Sequence, residues 1–299
     1  MTDADAKRDE RAWTAGDALA WTVDYLTRKG VDNPRRSAEW LLSAATGLSR
    51  VELYARFDRP LTPEERATFR AGIERRAAGE PLQYVTGEMP FRHLVLHVRP
   101  GVFIPRPETE VLVDAVLEFL DASGVAEPVV VDLCTGSCAI AASVASERTG
   151  ARVYATEIVP ATTEVARDNA ERAGVAGRVT VLAGDLFAPL PRELRGHVDV
   201  VVSNPPYIPT ADLASLPAEV AAHEPLTALD GGVDGLDVVR RIAEQARDWL
   251  HPGGLLALET DTLLAKEAAN LLSAWYEGCE VRQDLTGRDR IAMGTRREA

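Results

Sequence analysis

Apolar residues recur with different periods along this chain, and the changes of period predict its domains. Over residues 12–78 they recur every three to four positions, which predicts amphipathic helices. Over residues 83–104 apolar and polar positions partly alternate around the turn Arg99-Pro100-Gly101, which predicts a hairpin. We therefore expect a small helical bundle domain over residues 1–85 and a β-hairpin connector over residues 86–104.

From Pro105 onward, apolar runs of strand length alternate with segments of helical period. Alternating strands and helices build a mostly parallel sheet with helices on both faces. The last two strands are too close in sequence for a helical crossover, so we expect them to be antiparallel. The predicted fold class of residues 105–299 is therefore α/β. The predicted strands are 128–133, 151–156, 178–182, 197–203, 254–260, 279–284 and 290–295, and the predicted helices are 107–121, 138–148, 161–173, 235–250 and 263–275.

Composition and charge narrow the classes of function. The chain has 299 residues and a formal net charge of −13. Residues 101–299 carry 31 acidic and 17 basic side chains, so direct binding of nucleic acid is not expected. Met1–Arg11 has no signal-peptide pattern, no apolar run is long enough to span a membrane, and three cysteines do not suggest a disulfide framework. We expect a cytoplasmic protein that makes no membrane contact.

The most specific chemistry lies at Asn204-Pro205-Pro206-Tyr207, directly after an apolar strand. Two consecutive prolines end a strand and stiffen the turn, at the edge where open α/β sheets place ligands. The Asn204 oxygen and the Pro205 carbonyl could accept the two N–H groups of an amide or amino group, while Tyr207 covers its face. These three are the predicted catalytic residues, and Pro206 joins them in the predicted substrate site. The alternative is an Asx-Pro turn that ends a strand, with Tyr207 only packing.

Three further features lie at the carboxyl ends of predicted strands. A turn of small residues after strand 128–133 enters a helix N-terminus, which favours a carboxylate or phosphate. Glu157 could accept both ribose hydroxyls of a nucleoside. Asp185 could accept from an adenine amino group, with two apolar neighbours against the ring. A single acid after a strand is often only a helix cap. The prediction of a cofactor site therefore depends on finding these features in this order after successive strands. The predicted cofactor site is Asp132, Cys134, Thr135, Gly136, Ser137, Cys138, Glu157, Asp185, Leu186, Phe187 and Asn204.

Several stretches of the chain resemble one known family. They are Arg75-Arg76-Ala77-Ala78-Gly79-Glu80-Pro81-Leu82-Gln83-Tyr84, Phe103-Ile104-Pro105-Arg106-Pro107-Glu108-Thr109-Glu110, His223-Glu224-Pro225-Leu226-Thr227-Ala228-Leu229 and Leu285-Thr286-Gly287-Arg288-Asp289-Arg290. Together with the Asn-Pro-Pro-Tyr turn, they resemble class I methyltransferases, and among these the protein-(glutamine-N5) methyltransferases that act on peptide chain release factors. The turn alone is shared with adenine amino-group methyltransferases, so the other stretches indicate the substrate.

The resemblance implies a Rossmann-like class I sheet, S-adenosyl-L-methionine as the cofactor and S-adenosyl-L-homocysteine as its product. It implies methyl transfer to the side-chain amide nitrogen of the glutamine in the Gly-Gly-Gln loop of class 1 peptide chain release factors. It also implies that the helical domain recognises this protein substrate and that Arg106 contributes to substrate binding. No metal is expected, because two cysteines spaced by four residues do not make a metal site.

The chain departs from the family pattern at the predicted ligand edge. Cys134 and Cys138 stand where the family usually has glycine, Glu157 replaces the commoner Asp, and Glu259-Thr260-Asp261 replaces a turn containing Gly or His. Two alternatives therefore stay open. One is a diverged enzyme that methylates another protein glutamine, a small-molecule amide or amine, or an adenine amino group. The other is a non-catalytic relative that binds a partner and has lost the cofactor.

Overall fold

The computed structural model describes residues 13–298, which group into two compact units. The first unit ends at Gly87 and includes the later segment Ala218–His223. The second unit consists of Glu88–Pro217 and the chain from Glu224 onward. Residues 1–12, where the sequence predicts no signal peptide, lie outside the described residues. Among residues 13–298, every helix is too short or too polar to cross a membrane.

The first unit is helical, and local hydrogen bonds fix where its helices begin. Thr14, Ser49 and Thr62 each form a capping box with an acid three residues later. Apolar side chains of these helices meet in one core, in which Leu26 and Leu42 are fully buried. The helices are α1 (Ala15–Arg28), α2 (Pro34–Thr46), α3 (Arg50–Ala55), α4 (Pro63–Ala77), α5 (Leu82–Thr86) and, from much later in the chain, α9 (Ala218–His223).

A buried arginine connects α9 to the rest of this unit. Arg76 on α4 is only 6% exposed, and its Nη1 donates to the carbonyl oxygen of Glu80 at 2.8 Å. The same nitrogen lies 3.0 Å from Oε2 of Glu219 on α9. A buried cation without a partner destabilises a fold strongly, so this ion pair explains why a six-residue helix belongs to a unit so distant in sequence.

The second unit is a seven-stranded sheet in the order β5-β4-β3-β6-β7-β9-β8. Its first five strands are parallel, and β9 is antiparallel to both neighbours. Apolar cores cover both faces of the sheet. The strands are β3 (Val129–Leu133), β4 (Arg152–Glu157), β5 (Val179–Ala183), β6 (Val198–Ser203), β7 (Leu250–Glu259), β8 (Tyr276–Gln283) and β9 (Asp289–Arg296), and the helices are α6 (Thr109–Ser123), α7 (Ala139–Glu147), α8 (Pro160–Arg172), α10 (Asp237–Ala246) and α11 (Ala265–Leu272).

A hairpin lies within the predicted connector as β1 (Glu88–Phe91) and β2 (Leu94–His97), and it belongs to the second unit. The predicted position of its turn was wrong, because the chain reverses at Arg92-His93 and not at Arg99-Pro100-Gly101. Arg92, which lies in the turn between β1 and β2, holds the hairpin to the second unit. The guanidinium pairs with Asp114 at 2.7 Å and with Glu147 at 2.6 Å, and these carboxylates raise the pKa of Arg92. The hairpin is therefore tied to α6 and α7 by charge as well as by its apolar side chains.

The α/β fold class and the antiparallel end of the sheet are confirmed. Two differences have local causes. The helix predicted over 235–250 ends at Ala246, and β7 already begins at Leu250, because a bulged first part of β7 pairs with Val198 before the regular ladder starts. The short helix α9 was not predicted, because six residues are too few to show a helical period.

Asp199 is the one charged residue within strand β6, and it has a structural role. Its Oδ2 accepts the backbone N–H of Val129 at 2.7 Å, at the point where β3 begins. Its Oδ1 lies 3.3 Å from Nε2 of His251 on β7. Asp199 thus ties together the amino ends of three neighbouring strands.

We predict that Asp199→Ala lowers the free energy of unfolding by about 1–3 kcal/mol, because it leaves the Val129 N–H without an acceptor. Asp199→Asn keeps an oxygen acceptor and is the matched control, with a smaller loss. Urea unfolding followed by circular dichroism measures both. Equal stability of Asp199→Ala and the wild type would show that this hydrogen bond is not needed.

Candidate active site

A cavity of about 290 Å³ opens where the parallel strands of the second unit end. Parallel pairing places Leu133 beside Thr156 on one side and Ser203 on the other, so the loops that follow β3, β4 and β6 meet at one edge. The cavity is lined by Gly101, Phe103, Pro105, Thr109, Cys134, Thr135, Gly136, Ser137, Ala139, Ile140, Thr156, Glu157, Ile158, Val159, Thr162, Gly184, Asp185, Leu186, Asn204, Pro206, Tyr207, Ile208, Pro225, Thr227, Ala228, Leu229, Asp230, Val238 and Arg241.

The loop after β3 bends through three left-handed residues. Cys134 has φ 56°, Gly136 has φ 55° and Cys138 has φ 70°. A side chain in this conformation costs roughly 1–2 kcal/mol, so both cysteines occupy positions suited to glycine. Cys134 lines the cavity, whereas Cys138 is fully buried at the start of α7 and does not. Only Cys134 can therefore crowd a ligand.

Neither thiol is set up to react. Burial, together with the nearby carboxyl of Glu157, raises the pKa of Cys134 to about 12. Burial also raises the pKa of Cys138. Both side chains stay protonated at neutral pH, and a protonated thiol is a poor nucleophile and metal ligand. Among residues 13–298, no cluster of three metal-binding side chains was found.

Asp132 holds the loop after β3 through hydrogen bonds from its buried side chain. It is fully buried and is not among the residues that line the cavity. Its Oδ2 accepts from Oγ1 of Thr135 at 2.6 Å and from the backbone N–H of Ala141 at 3.1 Å, while burial raises its pKa to about 7. The structure thus places Asp132 where it shapes the loop, whereas the sequence predicted direct contact with the cofactor.

Glu157 lines the cavity at the end of β4. Its Oε2 accepts the backbone N–H of Gly136 at 3.0 Å, and its Oε1 accepts that of Val159 at 2.9 Å. Each oxygen keeps a second lone pair, so the carboxyl can still accept two hydroxyl groups from a ligand. Burial raises the pKa of Glu157.

The predicted adenine site after β5 is only partly at the cavity. Asp185 and Leu186 line the cavity, but Phe187 is buried and stacks on Trp249 with ring centroids 5.6 Å apart. Asp185 also forms an ion pair with Nη2 of Arg241 at 2.5 Å. Arg241 lines the cavity from α10 and was not predicted, since nothing in the sequence links it to residue 185.

Asn204, Pro206 and Tyr207 line the other end of the cavity, and Pro205 is buried beside them. The Asn204 amide Nδ2 donates to Oγ1 of Thr109 at 3.2 Å. Within residues 13–298 no protein group donates to its Oδ1. The Asn204 oxygen is therefore available to a ligand's N–H, and the acceptor role that the motif indicates stays a prediction.

The turn is held in place by the glycines that follow it. The backbone N–H of Gly231 donates to the Ile208 carbonyl at 2.8 Å. A Cβ on Gly231 would lie 2.7 Å from the Tyr207 Cα, and one on Gly235 would lie 2.4 Å from the Tyr207 carbonyl oxygen. This close approach explains why glycines recur at 231 and 235.

Tyr207 remains a neutral phenol, because burial and the nearby carboxyl of Glu259 raise its pKa. Arg106 is not among the residues that line the cavity. Its Nη2 lies 2.5 Å from Oε1 of Glu224, and its guanidinium packs over Phe103 at 4.9 Å. The predicted contact between Arg106 and substrate therefore stays a prediction. The structure shows Arg106 joined to the segment that carries Pro225 and Thr227 to the cavity wall.

Comparison with known proteins identifies the family. The family model described as "PrmC N-terminal domain" matches residues 17–87, and that described as "Methyltransferase small domain" matches residues 94–218. The "Release factor glutamine methyltransferase" of Moorella thermoacetica is 48% identical over 95% of this chain and 99% of its own. The chain belongs to the release factor glutamine methyltransferase family.

Other relatives agree with this assignment. The family protein of Geobacter sulfurreducens is 44% identical over 94% of this chain and 96% of its own. A solved structure, Thermus thermophilus 16S rRNA N2 G1207 methyltransferase in complex with AdoMet and guanosine, matches 70% of this chain and 50% of its own with a TM-score of 0.53 and 22% identity. At that identity the match supports only the class I methyltransferase fold.

We predict that Cys134→Gly leaves the affinity for S-adenosylmethionine unchanged or tightens it. The substitution relieves a strained φ and removes side-chain atoms from the cavity wall. Cys138→Gly is the matched control, because it relieves the same kind of strain outside the cavity and should leave affinity unchanged. Titration calorimetry measures both. A large loss of affinity in Cys134→Gly would show that the thiol itself contributes to binding.

Proposed function

We propose that this protein transfers the methyl group of S-adenosyl-L-methionine to the side-chain amide nitrogen of the glutamine in the Gly-Gly-Gln loop of peptide chain release factors. Family membership supports this activity, and one observation about the site supports a role for Asn204 in it. Asn204 lines the cavity and is anchored through its amide nitrogen, which leaves its oxygen to accept a hydrogen bond from a substrate. A primary amide presents N–H donors, and a fixed acceptor is the partner it needs.

The cavity suits the proposed cofactor. Glu157 offers two oxygens that can each take one more hydrogen bond, which fits the paired hydroxyls of a ribose. The loop of small residues between Cys134 and Cys138 allows close approach of the methionine portion. Asp185 and Leu186 flank the place expected for the adenine. When bound, the cofactor supplies an electrophilic methyl group.

The residues around Asn204 address the main chemical difficulty, the low nucleophilicity of an amide. The nitrogen lone pair is delocalised into the carbonyl group, which makes the amide a weak nucleophile. The nitrogen must therefore be held in line with the methyl group for the reaction to occur. Asn204 Oδ1 and the Pro205 carbonyl would hold the two N–H groups and orient the nitrogen. The same acceptors stabilise the positive charge that develops on the nitrogen as the new bond forms. The proton then leaves to water after transfer.

Tyr207 completes the substrate side of the site. Its ring lines the cavity next to Asn204, and its raised pKa keeps the phenol uncharged. An uncharged ring covers the amide plane and excludes water without adding a charge that competes for the N–H donors. Its role here is orientation of the substrate rather than proton transfer.

We predict that Asn204→Ala lowers kcat/KM for release factor methylation by about 100-fold or more, because an interaction that strengthens in the transition state is lost. The exposed Asn270 provides the matched control, and Asn270→Ala should keep full activity. The measurement is mass spectrometry of a purified release factor after incubation with enzyme and cofactor. A folded Asn204→Ala variant within a few-fold of the wild type would contradict the acceptor role. Absence of methylation by the wild type would contradict the proposed function.

We further propose that the helical unit recognises the protein substrate. An aromatic ladder that begins just before α1 supports this role. Trp21 stacks on Tyr25 at 5.1 Å, meets Trp13, which lies just before the helix, edge-on at 6.1 Å, and is 45% exposed. Exposed aromatic side chains of this kind are enriched in protein interfaces.

We predict that Trp21→Ala raises KM for an intact release factor about tenfold while changing kcat/KM for a short Gly-Gly-Gln peptide less than twofold. Val95→Ala, which removes another exposed apolar side chain, is the control and should change neither value. Steady-state kinetics with the release factor and with the peptide measure these values. Equal losses of activity on the peptide and on the intact release factor would mean that the aromatic ladder stabilises the fold and does not recognise the substrate.

A further inference from the structure

Asn169 joins one wall of the cavity to the hairpin through three hydrogen bonds. It lies on α8 and is fully buried. Its Nδ2 donates to the Ser137 carbonyl and to the His97 carbonyl, each at 2.9 Å, and its Oδ1 accepts the His97 backbone N–H at 2.7 Å. Ser137 lines the cavity in the loop after β3, and His97 is the last residue of β2. One side chain thus connects three separate segments of the second unit.

These three partners allow the Asn169 amide only one orientation. A side-chain amide has two N–H donors on its nitrogen, and here they meet two different backbone carbonyls. If the amide rotated by half a turn, its oxygen would face both carbonyl oxygens and its N–H groups would face the N–H of His97. Because such contacts would leave buried polar groups without partners, the Asn169 side chain is fixed.

The loop after β3 needs a fixed partner, because its backbone is strained. Cys134 and Cys138 have left-handed backbone conformations, which residues other than glycine rarely adopt. Strained backbone persists only where the surrounding contacts hold it. The Ser137 carbonyl belongs to the peptide group directly before Cys138, and among residues 13–298 only Asn169 donates to it. Asn169 therefore fixes the peptide group on which the conformation of Cys138 depends.

The hairpin gives this connection a firm second end. His97 ends a hairpin whose turn residue, Arg92, is paired with Asp114 on α6 and with Glu147 on α7. Both groups of His97 that bond to Asn169 are main-chain atoms, so they move only with the hairpin itself. The loop after β3 is therefore held, through Asn169, to an element that is fastened independently of the cavity.

We propose that Asn169 is a positioning residue for the cofactor: it holds the Ser137 carbonyl to the main chain of His97 and so keeps the loop after β3 in the conformation that receives S-adenosyl-L-methionine. Asn169 is not among the residues that line the cavity, so it acts only through the loop. This inference rests on the proposed function for the identity of the cofactor, and it holds for any methylated substrate. A loop that occupied the receptive conformation about one tenth of the time would raise the apparent Kd about tenfold.

Titration calorimetry of the full-length protein with S-adenosyl-L-homocysteine tests this role without any methyl transfer. Asn169→Asp keeps the size of the side chain and the acceptor for the His97 N–H, but a carboxylate cannot donate to the two carbonyls. We expect its Kd to rise about tenfold or more. Asn169→Ala leaves a polar space that a water molecule can occupy, so this second variant should fold, and its Kd should rise about three- to tenfold.

Two controls separate positioning from general stability. His97→Ala removes the imidazole ring and its ion pair with Asp168 but leaves the main-chain partners of Asn169 in place, so it should bind with wild-type affinity. Asp199→Ala loses stability at the amino ends of the strands, away from the cavity, and should also bind with wild-type affinity. A loss of affinity in Asp199→Ala equal to that in Asn169→Asp would mean that only general stability matters, and it would overturn the proposal.

Hydrogen–deuterium exchange of the ligand-free protein gives a second readout. Peptides covering residues 134–138 should take up deuterium faster in Asn169→Asp and Asn169→Ala than in the wild type, while both controls leave this rate unchanged. A wild-type Kd, or wild-type exchange in the loop, in either folded Asn169 variant would overturn the proposal and leave the proposed function in place. Failure of the wild-type protein to bind S-adenosyl-L-homocysteine would overturn both.

Discussion

Parallel pairing of β3, β4, β5, β6 and β7 is the constraint on which this site depends. In a parallel sheet every strand ends at the same edge, so the loops after residues 133, 157, 183, 203 and 259 converge although more than a hundred residues separate the first from the last. The Ser203 hydroxyl reinforces this alignment by donating to the Leu133 carbonyl at 2.7 Å. A shift of one residue in any of these ladders would turn its last side chain to the other face of the sheet.

Burial raises the pKa of three acidic side chains near this edge. The carboxyls of Asp132 and Glu259 both have a pKa raised to about 7, and that of Glu157 is raised in the same direction. Burial therefore lowers the negative charge that these three side chains carry, at the edge of the sheet where a positively charged cofactor would give up its charge as it loses its methyl group.

Much of this architecture could be predicted from the sequence, because strand periodicity and the Asn-Pro-Pro-Tyr turn depend on local chemistry. Other features could not, because they depend on distant partners. Asp132 was expected at the ligand but holds the loop beneath it. Phe187 was expected at the adenine but stacks on Trp249, 62 residues away in the chain.

The ion pair between Arg76 and Glu219 has a consequence for biosynthesis. The helical unit is encoded mostly by the first 87 residues, but α9 emerges from the ribosome only after about 130 more have been made. Until then the Arg76 guanidinium lacks its carboxylate partner, and the nascent helical unit is incomplete. This ion pair can therefore form only after the chain of β3, β4, β5 and β6 has been synthesised, so the last contact of the helical unit is made late in translation.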